Sequence, residues 1–142
     1  MKIPYAVGSK GAWEKTDYNV FRYFYEILPQ LYDIKTIVII GPGKHEEKYF
    51  NNFEKVIVFE PDEKRAEELE KLGIEVINDF GYKCSKYLKE NYIDAIYAFN
   101  VCNWVPFNFV DFLECAYKSL KDDGILIISL YQKVDRLSLI HI

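Results

Sequence analysis

The stretch Thr36–Gly73, TIVIIGPGKHEEKYFNNFEKVIVFEPDEKRAEELEKLG, decides the fold. It opens on TIVII (Thr36–Ile40), an unbroken β-branched run of the kind buried on both faces of a parallel sheet. The run stops at Gly41-Pro42-Gly43, where glycines let the backbone turn sharply and let a ligand approach without a Cβ in the way. Lys44–Asn52 reads as a short helix. A second run, KVIVFE (Lys55–Glu60), then ends in an acid. Asp62 is placed to cap a charged helix reaching Leu72, and Gly73 to stop it. Strand, glycine turn, helix, strand and helix in close succession predict right-handed crossovers in a parallel sheet.

The same alternation continues on either side. Upstream, Thr16 or Asp17 can cap a helix through Leu31, with Val20, Phe21, Phe24, Ile27 and Leu28 on one face. Downstream, Ile74–Asn78 reads as a strand, Tyr82–Glu90 as a helix and Asp94–Phe99 as a strand. Phe109–Leu120 then reads as a helix, KDDG (Lys121–Gly124) as a turn and Ile125–Tyr131 as a strand. Residues 1–136 are expected to form one three-layer α/β/α domain, with residues 1–33 as a helical lead-in and no internal repeat or linker.

Composition narrows the class. Of the 142 residues, 50% are hydrophobic and 17% aromatic, enough for a packed core rather than disorder. A net charge of -4 does not point to a nucleic-acid-coating surface, although it leaves room for a local basic patch. Cys84, Cys102 and Cys115 are far apart and form no C-x-x-C, so they read as reduced, buried thiols of a cytoplasmic protein. His45 and His141 are the only histidines, and no metal site is expected. No apolar run approaches membrane-spanning length. The last residues, LSLIHI (137–142), back-translate to CTG-TCT-CTT-ATA-CAC-ATC, a transposase end used to tag DNA fragments. They are read as an appended sequence, with the natural chain continuing past Arg136.

In a sheet of this kind ligands sit beyond the carboxyl ends of the strands, which places Gly41-Pro42-Gly43 and Glu60 at one crevice. A strand-end carboxylate can accept hydrogen bonds from both hydroxyls of a ribose, so a nucleoside cofactor is expected. Pyrophosphate would need a third glycine for close approach, but Glu46 and Glu47 stand in that region. A cofactor without phosphate suits these residues better.

The order of these pieces resembles the class I S-adenosylmethionine-dependent methyltransferases over about residues 34–131. IVIIGPGK is similar to their glycine motif and VIVFEPDEKRAEEL to the segment with the ribose acid. EVINDFGY resembles the segment flanking the adenine, YIDAIYAFNVCNWV the fourth strand with its loop, and FLECAYKSLKDDGILIISLY the helix, turn and fifth strand. The resemblance implies a Rossmann-like parallel sheet in the order 3-2-1-4-5, without the family's sixth and seventh strands. It further implies S-adenosyl-L-methionine as cofactor, held by Gly41, Pro42, Gly43, Glu60, Pro61, Asp79, Phe80 and Asn100. Asn100, Asn103 and Trp104 would face the methyl group, where Asn can orient an acceptor and Trp exclude water. The chain departs from the family at Ile39, where an acid is common, and at His45, where a third glycine is common.

The reaction so implied is methyl transfer to an acceptor that these residues do not identify. Two other functions are compatible with parts of the pattern. One is an NAD-dependent oxidoreductase or epimerase domain that shares the ribose acid. The other is a catalytically inactive methyltransferase-like module kept for protein contacts.

Overall fold

The structure is a computed structural model and describes residues 21–99 and 107–129. The chain enters through a π-helical turn, Tyr23–Ile27, that runs into α1 (Leu28–Leu31). Then follow β1 (Thr36–Ile40), a 3-10 helix Lys44–Asn52, β2 (Lys55–Phe59), α2 (Glu63–Glu70), β3 (Glu75–Ile77) and a second 3-10 helix Gly81–Lys86. β4 (Ile93–Phe99), α3 (Phe109–Ser119) and β5 (Leu120–Ser129) complete the described residues. The five strands are all parallel, in the order β3-β2-β1-β4-β5, the arrangement implied by the family resemblance.

Strand periodicity divides the core into two layers. Ile37 and Ile39 of β1, Val56 and Val58 of β2, and Ala95 and Tyr97 of β4 face one side, against Phe21, Phe24, Tyr25, Leu28, Tyr49 and Leu69. Val38, Ile40, Ile57, Phe59, Ile96 and Ala98 face the other, against Cys84, Phe112, Cys115 and Ala116. The central strands are therefore sealed on both faces, as their unbroken apolar sequences require. Asp94 buckles the bottom of the sheet. Its Oδ2 accepts from the amides of Lys35 (3.0 Å) and Thr36 (2.9 Å), and Lys121 Nζ lies 2.9 Å from Oδ1.

Several elements differ from the sequence reading. The N-terminal helix is wound as a π-turn, which rotates its face: Tyr25 is fully buried, whereas Ile27, assigned to the core, is 44% exposed. The winding is held from outside the helix. Tyr97 Oη donates to the Phe24 carbonyl, and Asn52 Nδ2 donates to the Tyr25 carbonyl at 3.0 Å. The helices after β1 and β3 are both wound as 3-10 rather than α. KDDG lies within β5, not outside it. Pairing resumes from Ile93↔Leu120 to Ala95↔Ile125, so the extra residues bulge outward while the strand continues.

The cysteine reading needs correction. Cys84 and Cys115 are both fully buried and joined as a disulfide, their Cα atoms 5.9 Å apart. They are 31 residues apart in sequence, and the packing of the second 3-10 helix against α3 brings them face to face. This pairing removes the cysteine argument for a reducing compartment. No helix among the described residues is long and apolar enough to cross a membrane. No cluster of metal-binding side chains occurs among them either. Residues 137–142 lie outside the described part.

Candidate functional site

Strand order reverses at β1: the chain crosses from β3 at one edge to β4 on the far side of β1. Such a switch point opens a crevice beyond the strand ends. Gly41 leaves β1 with φ 53°, a left-handed conformation that glycine adopts at little cost, while its N–H still reaches the Phe59 carbonyl at 2.8 Å. Gly43 is extended, at φ -79° and ψ 168°, so conformation alone does not demand glycine there. Space does. A Cβ on Gly43 would stand 2.6 Å from Cε1 of His45, whose ring lies across it.

The loop is braced by two charged side chains that the sequence did not single out for that purpose. Glu46, 2% exposed, turns inward: Oε2 accepts from the Gly43 amide (2.6 Å) and Oε1 from the Tyr25 hydroxyl (2.7 Å). Burial, and then the adjoining carboxylate, raise the Tyr25 phenol well above its ordinary pKa. From the other side Arg65 Nη2 donates to the Pro42 carbonyl (3.2 Å) and pairs with Glu47 Oε2 (3.3 Å). Arg65 belongs to the charged helix that follows Asp62. Only contact partners from distant sequence reveal its role. Glu46 and Glu47, the two acids in the region where a third glycine would be needed, thus point to protein partners. The argument against a dinucleotide survives in another form, because the Gly43 N–H that would meet an anion is already taken by Glu46.

Glu60 stands at the end of β2 with its backbone N–H on the Ile77 carbonyl (3.0 Å). Its Oε2 accepts from the Asp62 amide at 3.1 Å, and Oε1 has no hydrogen bond among the described residues. Burial raises its pKa; the Asp62 amide and Arg65 pull the other way without cancelling the effect. Asp62 meanwhile caps α2 through Lys64 N–H (3.1 Å), so the acid and the helix start are fixed together. Pro61 is exposed, and its carbonyl and that of Glu60 both accept from Asn78 Nδ2, at 3.1 and 2.9 Å.

On the β3 side, Asp79 accepts from Phe80 N–H and from Tyr87 Oη, each at 2.7 Å, with Lys83 Nζ 3.6 Å away. The Tyr87 hydroxyl, helped by the Phe80 amide and Lys83, holds the Asp79 carboxyl below its usual range despite partial burial. Phe80 stacks on Tyr82 with centroids 5.2 Å apart, and Tyr82 meets Phe107 edge-on at 5.4 Å, forming a half-buried aromatic wall. Gly81 was not singled out by sequence. A Cβ there would lie 2.6 Å from Ile40 Cγ2, so glycine lets this segment close onto the end of β1. Asn100, Asn103 and Trp104 lie outside the described residues.

The architecture defines a class: a parallel α/β sheet with a glycine turn after its central strand and a carboxylate ending the next. Solved structures with a similar fold include S-adenosylmethionine-dependent methyltransferases. One, from Archaeoglobus fulgidus, matches at a TM-score of 0.61 and 19% identity, covering 80% of this chain and 51% of its own. Another is coclaurine N-methyltransferase bound to N-methylheliamine and SAH, with a TM-score of 0.58 and 14% identity; the match covers 89% of this chain and 38% of that one. The chain thus spans 51% and 38%, respectively, of the length of these two structures. No protein-family profile and no curated protein matches the sequence.

Proposed function

We propose that this chain carries the cofactor-binding part of an S-adenosyl-L-methionine-dependent methyltransferase. One observation carries the reading. Glu60 is oriented by the Asp62 amide, has no hydrogen bond on Oε1 among the described residues, and stands one strand from the left-handed Gly41 turn. A half-buried carboxylate so fixed is suited to a ribose diol, and the adjacent bend leaves room for the rest of the molecule. The residues fit a nucleoside without phosphate, since Glu46 occupies the anion-binding amide of the loop. When bound, the cofactor supplies an electrophilic methyl group on a sulfonium. The chain's own part is to hold the ribose at Glu60 and flank the base with Phe80. Its contribution to the rate would then be alignment of the two reactants.

Calorimetry with S-adenosylhomocysteine, adenosine and NAD tests the assignment. S-adenosylhomocysteine is expected to bind and NAD is not. Glu60→Ala should weaken S-adenosylhomocysteine by about 10- to 100-fold, the worth of one or two hydrogen bonds to a charged acceptor, with little change in melting temperature. Unchanged affinity in that variant would remove the ribose role. Activity on an acceptor belongs to the whole protein and would separate an enzyme from an inactive module.

A further inference from the structure

His45 is a polar ring seated by apolar contacts. A Cβ on Gly43 would lie 2.6 Å from its Cε1 and 2.9 Å from its Nδ1, so one face of the imidazole rests on the glycine. Phe21 approaches its ring at 4.7 Å between centroids, and Phe21 in turn meets Phe99, the last residue of β4, at 5.0 Å. The ring therefore stands beside the β1–β4 junction, where the strand order reverses. Neither nitrogen makes a hydrogen bond to a described residue, although the residue as a whole is exposed. A phenyl ring could make the same packing contacts, and what histidine adds is a hydrogen-bonding edge. In the neutral form that edge holds one donor and one acceptor.

The position of Glu60 fixes what would reach that edge. Adjacent strands lie about 4.8 Å apart, so a ribose held at the end of β2 leaves about 7 Å along the strand ends to the gap between β1 and β4. That is the reach of an amino-acid tail attached to the ribose. Its carboxylate would find the Gly43 N–H already engaged by Glu46. Resting on the Proposed function, we infer that His45 is a specificity-determining residue. Its imidazole N–H donates to the carboxylate of the cofactor's amino-acid tail, standing in for the loop amide that Glu46 has taken.

The experiment compares S-adenosylhomocysteine with methylthioadenosine, which has the nucleoside but no amino-acid tail. Both are titrated into the wild-type chain, His45→Ala and His45→Gln, with Lys44→Ala as a control for the neighbouring exposed cation. His45→Ala is expected to weaken S-adenosylhomocysteine about tenfold while methylthioadenosine stays within about twofold. His45→Gln, which keeps a donor, should recover most of the loss, and Lys44→Ala should change neither ligand. Unchanged or tighter S-adenosylhomocysteine binding in His45→Ala would overturn the assignment, as would equal weakening of both ligands. A larger loss in Lys44→Ala would also overturn it. A wild-type chain that binds the two ligands equally well would remove the tail site while leaving the nucleoside site standing. One that binds neither would remove both.

Discussion

The hydroxyl of Tyr25 is the sharpest place to perturb the loop without touching the crevice. It donates at 2.7 Å to Glu46 Oε1, and both residues are buried, at 0% and 2% exposure. Tyr25→Phe keeps the ring, which stacks on Tyr49 with centroids 5.0 Å apart and planes 3° from parallel. It removes only one donor from a carboxylate that stays buried. A hydrogen bond to a charged group is worth about 1.5–3 kcal/mol, and withdrawing a partner from a buried acceptor costs about 1–3 kcal/mol. A loss of about 2 kcal/mol is therefore expected. At about 4 °C per kcal/mol for a domain of this size, the melting temperature should drop by about 8 °C. Tyr49→Phe is the matched control. Tyr49 is 4% exposed, and its hydroxyl has no hydrogen bond among the described residues, so removing that oxygen should cost almost nothing. The assay is thermal unfolding of wild type, both single variants, Glu46→Gln and the Tyr25→Phe/Glu46→Gln pair. Tyr25→Phe should cost less in the Glu46→Gln background, because the charge that strengthened the bond is gone. A drop below about 1 °C, or equal costs in both backgrounds, would refute the idea that this bond braces the glycine loop.

Three further perturbations follow from the packing. Gly81→Ala puts a methyl group 2.6 Å from Ile40 Cγ2 and should cost about 1–3 kcal/mol; the cost should shrink in an Ile40→Ala background, and equal costs measured by denaturant unfolding would contradict the close approach. Asp94→Asn should destabilise by about 1–2 kcal/mol at neutral pH. Partial burial alone would raise the Asp94 pKa, but the Thr36 and Lys35 amides and Lys121 outweigh it and leave it lowered. Stability from a lowered carboxyl is present above its unfolded value of about 3.9 and is lost as pH falls through the folded value. The gap between wild type and Asp94→Asn should therefore close in strong acid, and a pH-independent gap in melting temperature would argue against an ionic buckle. Thiol titration in denaturant without reductant should find no thiol from Cys84 or Cys115, which are paired, and so at most one from the three cysteines. Reduction should then cost about 3–4 kcal/mol for a loop of 31 residues, and three free thiols would refute the pairing.

The sheet was legible because its signals are local. TIVII and DAIYAF are apolar without alternation, which only a strand covered on both faces tolerates, and Asp62 and Gly73 punctuate α2 where the chain places them. Element order then restricts the topology to very few solutions. The site was half legible for the same reason. Gly41 and Glu60 announce themselves by position at strand ends, but Arg65, Tyr25, Asn78 and Gly81 act through partners distant in sequence. The π-turn was hidden as well. A helical period places Ile27 in the core, whereas Pro29 offers the Tyr25 carbonyl no N–H at i+4, and the side chains of Tyr97 and Asn52 reach the Phe24 and Tyr25 carbonyls instead.

These distant contacts meet at one loop. Arg65 holds the Pro42 carbonyl from α2, Glu46 holds the Gly43 amide from beneath, and the His45 ring lies over Gly43 against Phe21. A glycine-rich turn left to itself would sample many conformations, and ordering it on binding would subtract from affinity. Bracing from several directions meets that cost during folding instead, so the crevice is shaped before a ligand arrives. The arrangement separates the roles of its residues in a measurable way. Changes at Arg65, Tyr25 or Glu46 should lower stability and ligand affinity together, since both depend on the same loop conformation. Changes at Glu60 should lower affinity alone and can even raise stability at neutral pH, because burial already disfavours its charge.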